Sequence, residues 1–241
     1  VYLSNGLFHS RFVASIHEPK LLRKQNAMNS RISILRSFKS TAVLGLFLAS
    51  TLFTFGQEWV SLFDGKSFNG WDGNYRYFRI EDKAIVGGMT YAAIPRNQFL
   101  SAEETYKNFE LKLQFKLVGD NTNAGVQIRT RRIPNHHEVI GYQADLGQHY
   151  TGCLYDESRR RKILAEPDRD ALAKVLKGGD WNDYVIRCEG KRIQLWINGY
   201  QTVDYTEPDN SIEQDGIIAV QIHGGPAGEA WYRNIKIKKL P

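Results

Sequence analysis

The feature that most constrains this chain is strict two-residue alternation. In Phe109-Glu-Leu-Lys-Leu-Gln-Phe-Lys-Leu117 every odd position is apolar and every even one polar. Side chains of a strand point alternately to opposite faces, so this segment must bury one face of a sheet. Tyr184 to Glu189 and Arg192 to Ile197 flank Gly190-Lys191 and read as a hairpin. Asn198-Gly199 favours a tight type I′ turn, which sends the next strand, Gln201 to Tyr205, straight back. Gly216 to His223 and Trp231 to Lys238 supply the C-terminal strands, and Asp64-Gly65 and Glu81-Asp82 mark early turns. One helical stretch, Asp168 to Lys177, starts with capping residues after Pro167 and ends at Gly178-Gly179. Many short strands with a single short helix predict an all-β, two-sheet antiparallel sandwich.

The first quarter of the chain has a different character. Met28 opens a basic stretch (Arg31, Arg36, Lys39), followed by the apolar run Thr41 to Phe53 and the closing Thr54-Phe-Gly-Gln57. That order is a secretory signal over 28–56, and the apolar run is short for a bilayer span. Residues 1–27 read as sequence upstream of the natural start, leaving 57–241 as one folded domain. Contact with a membrane is expected only through the signal segment, if it is retained. The expected location is periplasmic or secreted.

Charge then changes meaning. Of 32 Lys and Arg, seven precede Gln57, and of 26 Asp and Glu, one does, so 25 of each remain in the domain. A basic leader on a neutral domain argues against a nucleic-acid partner. The domain's two cysteines, Cys153 and Cys188, are too few for a disulfide framework and read more simply as two small buried thiols.

Three strands carry polar residues on the face opposite their apolar one. Gln127 and Arg129 oppose Val126 and Ile128. Gln143 and Asp145 oppose Tyr142, Ala144 and Leu146. Gln221 and His223 oppose Val220 and Ile222. Placed side by side in one sheet, these would offer amides, a carboxylate, a guanidinium and an imidazole to sugar hydroxyls. Antiparallel strands commonly have one polar face without function, so the groove is an expectation of pattern alone. His136, His137 and His149 fall in loops beside these strands, and His136-His137-Glu138 leads into Gln143. Imidazoles and carboxylates suit a divalent metal, although no ligand spacing fixes one. Tyr155-Asp-Glu-Ser-Arg-Arg-Arg161 reads as a charged loop over the sheet rim. Trp181, Trp196 and Trp231 read as packing residues. No phosphate loop, dinucleotide fingerprint, nucleophile elbow or His-Glu-x-x-His is present. No nucleotide cofactor is expected.

The same segments carry a family resemblance. Leu62-Phe-Asp-Gly-Lys-Ser-Phe-Asn-Gly-Trp71, Gly125 to Thr130, Gly141 to Gly147, Gly152 to Glu157, Trp181 to Tyr184, Ile193 to Gly199, Gln221 to Gly225 and Trp231 to Ile237 occur in the order of the 3-keto-disaccharide hydrolase family. The chain resembles that family over about 58–240. The resemblance implies a concanavalin-like jelly roll acting on glycosides oxidised to a ketone at C3, by a lyase or hydrolase route that some members run with a divalent metal. On that reading His223 or His137 is a base or metal ligand, and Glu138 and Asp145 are ligands or alternative bases. Arg129 holds the ketone or enolate oxygen, and Gln127, Gln143, Gln221, Tyr155 and Glu157 line the sugar. The competing readings are a non-catalytic sugar-binding module and a laminin-G-type interaction sandwich.

Overall fold

A computed structural model describes residues 58–241, so the expected leader lies outside the described residues. In chain order the strands are β1 (Val60–Ser61), β2 (Trp71–Gly73), β3 (Phe78–Glu81), β4 (Ala84–Met89), β5 (Gln98–Tyr106), β6 (Phe109–Val118), β7 (Ala124–Arg132) and β8 (Val139–Leu146). They continue as β9 (Leu154–Glu157), β10 (Ile163–Ala165), β11 (Asn182–Glu189), β12 (Arg192–Ile197), β13 (Tyr200–Thr206), β14 (Gly216–Ile222) and β15 (Gly228–Lys239). A helix, α1 (Arg169–Ala173), lies between β10 and β11.

The strands form two antiparallel sheets. The first runs β13-β12-β11-β6-β15-β4-β3, with β1 beside β15, and the second runs β10-β9-β8-β7-β14-β5-β2. This is the expected two-sheet jelly-roll sandwich. Alternation sets its core. Phe109, Leu111, Leu113 and Phe115 of β6 meet Val126, Ile128, Tyr142, Ala144 and Leu146 of the second sheet in one buried cluster. Each fully buried Leu, Ile, Val or Phe side chain of the cluster contributes about 1.5–3 kcal/mol by leaving water.

The turn chemistry follows the sequence. Asn198 and Gly199 both take positive φ, +49° and +84°, and Tyr200 pairs back onto Ile197. Asp168 caps α1 by accepting from Ala171 N–H at 3.0 Å. The helix stops at Ala173, short of the expected Lys177. The Asn182 side chain takes over there, accepting from Lys177 N–H and donating to Lys177 C=O, both at 2.8 Å. Cys153 and Cys188 are buried and free. Trp181 and Trp231 pack edge to face on the outer side of the first sheet, with Lys116 over both rings. No helix among the described residues is long and apolar enough to cross a membrane.

Candidate functional site

The second sheet has one face on the core and one facing away, and register decides which polar residues share the outer face. Gln127 pairs with Gln143 and Gln143 with Tyr155. Asp145 pairs with Gly125, and Gly125 with Gln221. Glu157 pairs with Gly141. Gln127, Gln143, Asp145, Tyr155, Glu157 and Gln221 therefore form one continuous polar face across β9, β8, β7 and β14; alternation places Gln127, Gln143, Asp145 and Gln221 there, and the register adds Tyr155 and Glu157.

Arg129 does not join it. A bulge interrupts β7 between Ile128 and Arg131, and Arg129 sits there with φ +49°. The extra residue turns its side chain away from Gln127. Its Nε and Nη2 donate to Lys107 C=O at 2.9 and 2.6 Å, and Nη1 donates to Gln214 at 2.6 Å. The guanidinium clamps the β5–β6 turn and cannot hold a substrate oxygen on the outer face. Gly141 makes room for the bulge: a Cβ there would lie 2.4 Å from Thr130 Oγ1. Thr130, one residue further on, takes the place on the outer face, with its hydroxyl 2.9 Å from Gln127 Oε1.

A hydrogen-bond chain then crosses two strands. Gln127 Nε2 donates to Gln143 Oε1, and Gln143 Nε2 donates to Asp145 Oδ1 at 3.0 Å. Leu146 N–H donates to the same Oδ1 at 2.9 Å. All four residues of the chain are buried. Burial pushes the Asp145 carboxyl well above the usual carboxylate range, because few groups solvate its charge, and the donations from Gln143 and Leu146 only partly oppose this. Burial also raises Glu157 to about 7, with the nearby charge of Glu138 adding to the effect. Gln221 is fully buried, and neither its amide oxygen nor its amide nitrogen has a partner among the described residues. Ser101 on β5, across from Ala219, likewise leaves its hydroxyl unpartnered. Each buried polar group left unpaired costs about 1–3 kcal/mol, a penalty that a ligand hydroxyl can relieve.

The β7–β8 connection, 133–138, folds back over this face. Val139 packs on Phe99 and Ala219, and Glu138 accepts from the Asn97 side chain at 3.1 and 3.3 Å. Asn97 immediately precedes β5, whose Gln98 pairs with Ile222, so the loop returns to the end where His223 leaves β14. His137 Nε2 lies 3.2 Å from Glu138, and its ring stacks on His136 at 4.5 Å. His223 is exposed, and its Nδ1 lies 2.6 Å from Gly224 C=O. Gly224 N–H donates in turn to Asn97 at 2.9 Å. Asn97 thus joins the His223 turn to Glu138, and no sequence pattern marked it. Beside the loop an open cavity of about 300 Å³ is lined by Arg96, Phe99, Arg132, His136, His137 and Glu138, among others.

The four residues expected as metal ligands are not gathered. His137 and Glu138 meet, whereas Asp145 is engaged by Gln143 and Leu146 and His223 stands at the rim. Among the described residues no group of three or more His, Cys, Asp or Glu is spaced to hold one metal ion. The charged stretch after β9 also departs from expectation. Arg159 and Arg160 turn inward onto buried Asp156, and Arg160 reaches Glu207 at 2.7 Å. Tyr150 and Tyr155 meet edge to face at 6.3 Å beside Glu157 and Asp145, an aromatic edge of the kind sugar rings pack against.

Comparison with known proteins fits this geometry. Residues 58–238 match the model of a family described as a 3-keto-alpha-glucoside-1,2-lyase-like domain, and the chain belongs to that family. A curated relative from Bacteroides thetaiotaomicron, named 3-keto-disaccharide hydrolase, is 24% identical over 90% of this chain and 89% of its own. A Parabacteroides distasonis protein assigned provisionally as a glycosyl hydrolase superposes with TM-score 0.58 at 20% identity, over 76% of this chain and 94% of its own. The carbohydrate-binding module CBM66 of Bacillus subtilis superposes with TM-score 0.54 at 10% identity, over 77% and 98%. These structural likenesses establish the sandwich fold alone.

Proposed function

We propose, starting from membership in the 3-keto-alpha-glucoside-1,2-lyase-like family, that this chain is an exported enzyme cleaving glycosides already oxidised at C3. The reaction takes place on the outer face of the second sheet. One observation carries the reading: two carboxyls held above their usual range, Asp145 and Glu157, lie on the same face as the unpartnered amide of Gln221.

A ketone at C3 acidifies the C2 hydrogen. Glu157, titrating at about 7, is half ionised at neutral pH and can accept that proton. Burial favours the protonated form of Asp145. Oδ1 is occupied by two N–H donors, so in that form Oδ2 carries the proton and donates it toward the ketone oxygen as negative charge develops there. The C2 electron pair becomes the C1=C2 double bond, the C1–O bond breaks, and the aglycone oxygen leaves with the proton that Glu157 took from C2. Water added across C1=C2 completes net hydrolysis. Gln221 and Tyr155 hold hydroxyls, and Glu138 and His137 approach from the loop side. This chemistry does not need the two facing carboxylates of ordinary glycosidases. The leader read at 28–56 would take the domain to the periplasm or beyond.

The test is incubation of the domain with a 3-keto-disaccharide, following free sugar and 1,2-unsaturated product, with and without chelator. Release of either product supports the reading. Tight sugar binding with no turnover under any metal condition sinks it in favour of a binding module.

A further inference from the structure

The outer face contains two kinds of glutamine. Gln221 has no partner at either amide atom among the described residues. Gln127 is tied at both: its oxygen faces Thr130 Oγ1 at 2.9 Å, and one of its two N–H groups is given to Gln143. Gln143 lies over Gly125, where an added Cβ would come within 2.5 Å of its Cδ, and passes the donation on to Asp145. Asp145 Oδ1 therefore takes two donors, while Oδ2 takes none among the described residues.

We propose that Thr130, Gln127 and Gln143 are positioning residues rather than sugar ligands, forming a one-way relay that fixes the Asp145 carboxyl with Oδ2 aimed at the substrate. Gly125 is the space that the relay needs. The proposal rests on the reading above, in which Asp145 donates to the ketone oxygen. The sequence pattern assigned Gln127 and Gln143 to hydroxyl binding; the geometry commits the carbonyl oxygen and one N–H of each to its neighbours in the relay. The bulge at Arg129 is what brings Thr130 into line with Gln127, so the relay and the displacement of Arg129 have one cause.

The experiment pairs turnover with a substrate-free measurement. Thr130→Val keeps the shape and removes the hydroxyl; Thr130→Ser restores it; Gln127→Met and Gly125→Ala break the relay at two further points. The expected result is a fall in kcat of about ten- to hundredfold for the three breaking variants, KM within about twofold of wild type, and recovery in Thr130→Ser. In the unliganded wild type, the side-chain amide protons of Gln127 and Gln143 should exchange slowly with solvent by NMR, and quickly in Thr130→Val. A rise in KM without loss of kcat would overturn the relay and return these residues to substrate binding. Fast amide exchange in the wild type would overturn it even if a variant failed to fold. Slow exchange in a wild type that turns over no 3-keto-glycoside has a different signature: it removes the functional reading, and the positioning role with it.

Discussion

Two buried polar networks lie on either side of the second sheet, and they are built on opposite principles. On the core side, Asp156 is met by Arg159 and Arg160, and Arg160 bridges to Glu207. Glu207 accepts from Tyr142 at 2.7 Å, Tyr142 from Gln214 at 3.2 Å, and Gln214 from Arg129 at 2.6 Å. Cations and anions alternate, and the sheet end is closed. On the outer side carboxyls and amides predominate, with Arg96 and Arg132 lining the loop cavity, and unpartnered atoms remain at Gln221 and Ser101. The first network pairs its charges with one another, as a structural network does, while the second leaves the Gln221 amide and the Ser101 hydroxyl without partners among the described residues. Arg129 and Asp145, which alternation placed together, belong to different networks and should fail differently when changed.

The sharpest test of that contrast is Glu157→Gln. Loss of a base should cut kcat/KM by about 10²–10⁴-fold with the fold intact; a variant with unchanged turnover but lowered stability would move Glu157 to the structural side. The converse is Arg160→Ala, which strips buried Asp156 and Glu207 of a partner. It should cost about 3–5 kcal/mol in denaturant unfolding, and a cost near zero would mean the charged network is not what holds this end of the sheet.

The two networks should also respond to pH with opposite sign. Burial lifts Glu157 from 4.5 to about 7, so its contribution to stability is complete below 4.5 and is lost as pH rises through 7. Burial would likewise raise Glu207, but hydrogen bonds from Arg160, Asp209 N–H and Tyr142 outweigh it and hold the carboxyl at about 2. Its contribution is complete above 4.5 and is lost as pH falls through 2. Thermal midpoints against pH should lose their neutral limb in Glu157→Gln and their acid limb in Glu207→Gln; the same limb lost in both would erase the distinction. The smallest effect is expected from Gln221→Leu. Removing an unpaired buried amide should leave stability unchanged or raise it by about 1–3 kcal/mol, while sugar binding measured by calorimetry weakens. A clear loss of stability would show that Gln221 is satisfied after all.

Local rules carried the fold. Alternation in β6, the Asn198-Gly199 turn and the Asp168 cap depend on neighbours in sequence, and each is seen. The outer face was legible for the same reason at Gln127, Gln143, Asp145 and Gln221. Arg129 was misplaced because a bulge depends on what lies across the strand pair, here a glycine at 141 that lets Thr130 approach. Asn97 and the return of Glu138 over the sheet depend on Val139 packing against Phe99 and Ala219, contacts that span 40 to 80 residues of sequence. The inward turn of Arg160 is fixed by Glu207, equally remote. What the chain's neighbours in sequence decide could be read, and what partners across the sandwich decide could not.

Tyr232, on β15 of the first sheet, passes through the core and presents its hydroxyl to Gln221 C=O at 2.7 Å, with Gly125 C=O at 3.2 Å. The floor beneath the candidate site is thus riveted from the opposite sheet. β14 and β7 cannot breathe independently of the sandwich, so their amides should exchange hydrogen only through global unfolding. On the proposed function, the parts left free to move around the site are the rim at 133–138 and the turn at Gly224, so product release would be a property of those loops, separable from the chemistry on the sheet.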